Sequence, residues 1–182
     1  DDVVAGASAH ATRYVASTRN DLNAALASSV VALGKKHGGA ATPAAELFRR
    51  LAQEGSDIGA YVATVRETKE RVPGFGHKVL KEGDPRVVAL LEVANEQGFN
   101  GQYVKVAETL EAELRQATGK ELPLNIDGLL GALTLELGLK PTHANALFYL
   151  SRVTGLLAHA LEEQESGPGV RRLEGEEYDY TD

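Results

Sequence analysis

The 182 residues contain no cysteine, no methionine and no tryptophan. Without cysteine there is neither a disulfide framework nor a thiolate metal site, and the composition fits a reducing compartment, read here as the cytoplasm. A chain that starts at Asp1 and holds no methionine reads as a fragment, a processed form or an engineered sequence. No stretch reaches the roughly eighteen uninterrupted apolar residues of a membrane span, and no basic segment leads into a small-residue cleavage site. An excess of positive charge is missing too. The net charge of −7 argues against a nucleic-acid partner, since phosphate affinity comes from clustered Lys and Arg. His10, His37, His77, His143 and His159 show no paired metal-ligand spacing, so no metal centre is expected. No stretch of four residues gives a convincing apolar/polar alternation bounded by turn signals, which leaves β-structure without support.

What remains is helical. Ser8–Leu33 carries Ala, Leu and Val at mixed helical spacing and predicts one or two buried helices that stop at "GKKHGGA". Pro43 opens a helix with Leu47, Phe48 and Leu51 on one face, closed near Gly55. Ile58, Tyr61, Val62 and Val65 form the apolar stripe of the next. Asp84 and Pro85 pair as N-cap and first residue of a helix running to Gly98. Asn100 or Gly101 starts another, ending at Gly119. Leu124–Leu137 is apolar nearly all round and reads as the central, buried helix, with Gly138 just past its end. Pro141–Gln164 is the longest, with Leu147, Leu150, Val153, Leu157 and Leu161 as its expected buried face. The chain is all-α, with no repeat and no low-complexity linker.

Four places break this pattern. His37 ends a helix beside two glycines in "KKHGGAA"; it either complements the negative helix end or sits where backbone approaches a ligand. The stretch Val72-Pro73-Gly74-Phe75-Gly76 cannot be helix and precedes His77. Its exposed backbone groups, with Lys78, Lys81 and Arg86 nearby, suit an anionic ligand as well as a basic solvated turn. No strand precedes it and the glycine spacing is wrong for a dinucleotide fingerprint. In "LPLNIDGLLGAL", Asp127 lies among leucines, where a carboxylate is costly unless paired or functional; either Asn125 or Asp127 serves as an N-cap. Arg152 in "ALFYLSRVTGLLAHAL" needs an anion, from the protein or from a ligand. Two histidines, a desolvated carboxylate and two or more arginines together suit proton abstraction next to a carbonyl, with an oxyanion stabiliser and carboxylate clamps.

In this order, "SAHATRYVAST…HGGAA", "GFGHKVLKEGDPR", "LNIDGLLGAL" and "LFYLSRVTGLLAH" resemble the signature segments of the citrate synthase superfamily, over essentially the whole chain. "NIDGLLG" looks more like bacterial citryl-CoA lyases and the C-terminal module of ATP-citrate lyase, while "GDPR" is similar to the synthase pattern. The resemblance implies a larger helical lobe (1–36 and 121–182) and a smaller CoA-binding lobe inserted between (37–120). It also implies a CoA thioester that is substrate rather than resident cofactor, while the all-round apolar surface of Ser8–Leu33, Leu124–Leu137 and Pro141–Gln164, more than 182 residues easily cover, predicts a homodimer. By the same resemblance Asp127 exchanges a proton with the acetyl-CoA methyl, and His37 hydrogen-bonds the thioester oxygen. His77 serves the oxygen that is the oxaloacetate carbonyl or the citryl hydroxyl. Arg86 and Arg152 hold carboxylates of the four-carbon acid. Val72, Pro73, Gly74, Phe75 and Gly76 cradle the adenine, and Lys81 lies near the phosphates. Arg171 or Arg172 matches a C-terminal arginine that reaches a neighbouring subunit's site, and Arg172 is the one assigned here to substrate binding. The chain departs from the family in lacking its further N-terminal helices, and Asp1–Ala7 holds no histidine where the synthases carry a substrate-binding one. The expected activity is reversible cleavage of citryl-CoA to acetyl-CoA and oxaloacetate. The alternatives are citrate synthase, which adds thioester hydrolysis, and a non-catalytic helical module that binds CoA or dimerises. The silent module is disfavoured by an aspartate kept in so costly a setting.

Overall fold

Side-chain caps set three of the helix starts. Asp57, Asp84 and Asn125 each accept a hydrogen bond from a first-turn backbone N–H, those of Ala60, Arg86 and Gly128. Each such cap is worth about 1 kcal/mol. The computed structural model describes residues 6–77, 80 and 83–172. Among them are eight α-helices, one 3₁₀ turn and no strand beyond two isolated bridges. The helices are α1 (Ala7–Ser17), α2 (Leu22–Val31), α3 (Ala41–Leu51), α4 (Ile58–Thr68), α5 (Pro85–Glu96), α6 (Gln102–Thr118), α7 (Ile126–Glu136) and α8 (Ala144–Ser166), the last preceded by the turn Pro141–His143. The all-α reading holds. No helix among the described residues is long and apolar enough to cross a membrane.

Some boundaries differ from the sequence reading for identifiable reasons. Ser8–Leu33 resolves into two helices, one of the two expected alternatives, broken at Thr18–Asp21, where Arg19 adopts a left-handed φ of 62°. Helix α3 opens at Ala41 rather than Pro43; proline fits there because first-turn N–H groups have no intrahelical acceptor. Asn125, not Asp127, caps α7, so the aspartate is left for another role. The face of α8 is the largest departure. Ala144, Phe148, Leu156 and Ala160 are buried, whereas Leu150 is 69% and Leu161 44% exposed. With apolar residues around most of its circumference, the offset face that carries two alanines is the one that packs.

Contacts divide the chain into two compact units, Asp1–His37 with Tyr149–Asp182, and Gly38–Phe148. In the second, α3 packs on α7, α6 on α4 and α7, and α5 on α7. Its core is built on Phe48, Leu110, Leu114 and Leu129, all fully buried. The α3–α7 crossing is close because its contact residues are small: a Cβ on Gly131 would lie 2.9 Å from Ala41 O and Ala45 N. Helix α6 has no cap of its own, since Gly101 precedes it. Glu136 of α7 supplies one, accepting from Tyr103 N at 2.6 Å and Val104 N at 3.1 Å.

The first unit pairs α1 with α2 and has a partly polar interior. Ser8, Thr12 and Ser29 are fully buried, and Thr12 and Ser29 hydrogen-bond each other. Ala16, Ala25 and Ala160 complete a small apolar cluster.

Candidate active site

In the second unit, the loop Val72–Gly76 is strapped to the start of α7. Gly76 N donates to Pro123 O (2.8 Å) and Asn125 N to Gly74 O (3.0 Å). The Asn125 side chain adds Nδ2 to Gly76 O at 2.8 Å while its Oδ1 caps the helix. Gly74 has a φ of 87°, and a Cβ there would stand 2.6 Å from Gly128 Cα. Only glycine fits either position. Phe75 then anchors the loop edge-on against Phe48, ring centroids 6.0 Å apart. The break in helical pattern is thus a loop pressed onto the helix that carries Asp127.

Asp127 occupies the first turn of α7, and its Oδ1 is buried without a hydrogen-bond partner among the described residues. Burial pushes its carboxyl above the usual carboxylate range. Nearby Arg86 and His77 pull it down and Asp84 pushes it up, without reversing the direction. A carboxyl raised in this way holds a proton more readily than an exposed one, as a group that both takes and returns a proton must. His77 Nδ1 accepts the Leu80 amide at 3.0 Å, which puts the ring proton of the neutral form on Nε2. Arg86 lies in a two-pronged pair with the buried Asp84, Nε to Oδ1 at 2.9 Å and Nη2 to Oδ2 at 2.8 Å. The structure therefore gathers Asp127, His77 and Arg86 beside the loop. Lys81 lies outside the described residues.

A cavity of about 520 Å³ opens between α3, α4 and Pro73. None of Asp127, His77 and Arg86 lines it. The site is assigned from its chemistry, since hollow space alone recognises nothing.

In the first unit, His37 closes a short turn with Gly34, their backbones exchanging bonds of 2.8 and 2.9 Å. His37 Nε2 lies 2.9 Å from Ser8 Oγ, and Ser8 N donates to it at 3.4 Å. Arg152 Nη2 donates to the same Ser8 oxygen at 3.1 Å. A guanidinium only donates, so Ser8 Oγ accepts from Arg152 and donates to His37 Nε2. The ring proton accordingly sits on Nδ1. Burial lowers the His37 pKa below its ordinary value, and the Arg152 charge lowers it further. His37 is therefore a neutral donor at pH 7. Its proton NMR titration should have a midpoint below that of an exposed histidine, and Arg152→Leu should move the midpoint up. A midpoint insensitive to Arg152 would remove the arginine from this cluster.

Arg171 forms a fork with Glu163, at 2.8 and 2.7 Å, while Arg172 is exposed. The sequence reading passed over Ser8 and used Asp84 only as a cap. Ser8 sends no local signal, being one small residue in an alanine-rich helix. Asp84 and Arg86 do, as a carboxylate two positions before an arginine at a helix start.

The model of the citrate synthase C-terminal domain matches residues 2–173. The solved citryl-CoA lyase of Hydrogenobacter thermophilus is 35% identical with a TM-score of 0.90, over 98% of this chain and 71% of that one. The citrate synthase of Synechocystis sp. is 35% identical over 86% of this chain and 41% of its own length. The 2-methylcitrate synthase of Mycobacterium tuberculosis is 31% identical over 92% and 43%. The chain thus spans less than half the length of these curated relatives. A match over nearly every residue, with the fold reproduced at that TM-score, places this chain in the citrate synthase family.

Proposed function

We propose that the chain carries the carbon–carbon bond chemistry of a citryl-CoA lyase, cleaving citryl-CoA reversibly to acetyl-CoA and oxaloacetate. The observation that carries this reading is Asp127, a carboxyl raised by burial and flanked by His77 and Arg86. In the cleavage direction His77, its Nδ1 released from the Leu80 amide, takes the citryl hydroxyl proton on that nitrogen, the carbon–carbon bond breaks, and oxaloacetate leaves with its new carbonyl. The electron pair passes to the thioester as an enol(ate). His37 stabilises the thioester oxygen through its Nδ1 proton. Asp127 then returns a proton to carbon and completes the acetyl methyl. Arg86 and Arg152 hold carboxylates of the acid. The loop Val72–Gly76 takes the adenine, Lys81 the phosphates, and Arg172 contributes from the C-terminal segment. Lobes of 1–36 with 121–182 and of 37–120 belong to the same proposal.

The likeness to citryl-CoA lyase in fold and identity favours the lyase. The equal identity of the Synechocystis citrate synthase favours the second reading, in which citryl-CoA is also hydrolysed. Incubation with citryl-CoA separates the two. The lyase produces acetyl-CoA and oxaloacetate, whereas the synthase releases free CoA. If citryl-CoA stays intact, and acetyl-CoA with oxaloacetate also gives nothing, both readings fall.

A further inference from the structure

Asp84 does far more than cap a helix. Its side chain is 1% exposed and receives four hydrogen bonds. Oδ1 takes the Arg86 amide at 3.0 Å and Arg86 Nε at 2.9 Å; Oδ2 takes Arg86 Nη2 at 2.8 Å and the Ile126 amide at 3.1 Å. A helix start needs only the first of these, and serine or asparagine would supply it as well. Burying a full carboxylate there is costly, and the other three bonds show what the charge does. Two of them grip a guanidinium by one edge. The last ties that pair to the residue immediately before Asp127.

We propose that Asp84 is a positioning residue for the reaction: its one carboxylate fixes which edge of Arg86 meets the four-carbon acid and holds that guanidinium in register with Asp127. A guanidinium offers two forks, and Asp84 occupies the Nε/Nη2 fork, so that edge is not the one a substrate carboxylate grips. The Ile126 bond carries the register from the start of α5 to the start of α7, across 42 residues of sequence. The charge has a second consequence. Burial pushes the Asp84 carboxyl up, but the bonds and charge of Arg86, helped by the Ile126 amide, outweigh it and keep the group ionised. That fixed negative charge helps to hold Asp127 in its raised range. The groups acting on Asp127 are Arg86 and Asp84 at the start of α5 and His77 at the loop end. Helices α3 and α6, which also pack around α7, bring none among the described residues.

This inference rests on the roles given above to Asp127 and Arg86. Asp84→Asn keeps the cap and the shape but loses the charge. The KM for oxaloacetate in the condensation direction should rise about ten-fold or more, as for a lost charge-assisted bond. CoA-thioester affinity should stay within about two-fold, because no CoA contact is touched. The acid limb of methyl-proton exchange should move to lower pH, since one influence holding Asp127 up is gone; a purely structural cap would leave that limb in place. The double variant with Arg86→Gln should bind oxaloacetate no worse than Arg86→Gln alone, because Asp84 acts through that arginine. Should Asp84→Asn not fold, Asp84→Ser, a cap of similar quality without charge, makes the same comparison. A folded variant with unchanged KM and unchanged acid limb overturns the inference and leaves the functional reading standing. A parent chain that neither exchanges methyl protons nor binds oxaloacetate overturns that reading, and this inference with it.

Discussion

Asp127→Asn should stop deuterium uptake into the methyl of acetyl-CoA, with a fall of about 10²- to 10⁴-fold, the usual contribution of a positioned acid or base. The amide is nearly isosteric, so the fold should be preserved by circular dichroism. Stability should move the other way from activity. A carboxyl whose folded pKa is raised above its unfolded value loses stability for the fold as pH rises between the two. At neutral pH Asp127 therefore costs stability, and the Asn variant should unfold at an equal or higher temperature. Activity lost while stability is kept or gained is what a functional carboxylate in an apolar site predicts. Equal exchange rates in variant and parent would take Asp127 out of the chemistry. A large drop in melting temperature would make it a structural residue instead.

Glu163→Ala should be the most destabilising single change to a charged residue in the first unit. The Glu163 side chain is fully buried, and its oxygens accept from Arg171 at 2.8 and 2.7 Å and from Arg13 at 3.1 Å. Gly167 packs so closely on it that an added Cβ would lie 2.6 Å from Glu163 Oε1. Removing this carboxylate takes away the fork that holds Arg171 and leaves Arg13, whose side chain is only 15% exposed, with Glu162 as its remaining carboxylate partner. The expected loss is about 3 kcal/mol, toward the low end for a broken buried pair because Arg171 can turn to water, or on the order of 6–12 °C in Tm. Burial pushes the Glu163 carboxyl up, but the bonds and charges of Arg171 and Arg13 prevail and hold it below its usual range. Its contribution is therefore complete above the ordinary carboxylate pKa and fades as pH falls through the depressed one. Urea unfolding of parent and variant from neutral to acid pH checks both points. A difference below about 1 kcal/mol at neutral pH, the level of an exposed pair, would show that the cluster behaves as surface charge. Arg171 also donates its amide to Ser17 Oγ at 3.1 Å, so Glu163 holds down the segment that leads to Arg172.

Several of these features were legible in the linear sequence. Apolar spacing of three and four residues marked the helices, and Asp84-Pro85 and the glycines at 101, 119 and 138 marked their ends. Those signals are local because helical hydrogen bonds and caps are local. A charged or glycine-rich interruption among apolar helices likewise drew attention to His37, Val72–Gly76, Asp127 and Arg152 without any coordinates. Contacts between elements distant in sequence belonged to the tertiary structure alone. Periodicity says that a helix has an apolar face but not which neighbour it meets, so the buried side of α8 was misjudged. Glu163 was one acidic residue among several near the C-terminus until Arg13, 150 residues earlier, closed over it. Ser8 gained its part only when His37, 29 residues on, and Arg152, 144 residues on, converged on its hydroxyl. Residue type decided which groups can move a proton or hold an anion. Packing decided which of them stand within hydrogen-bond reach of one another, and so which charges are raised, lowered or tied in place.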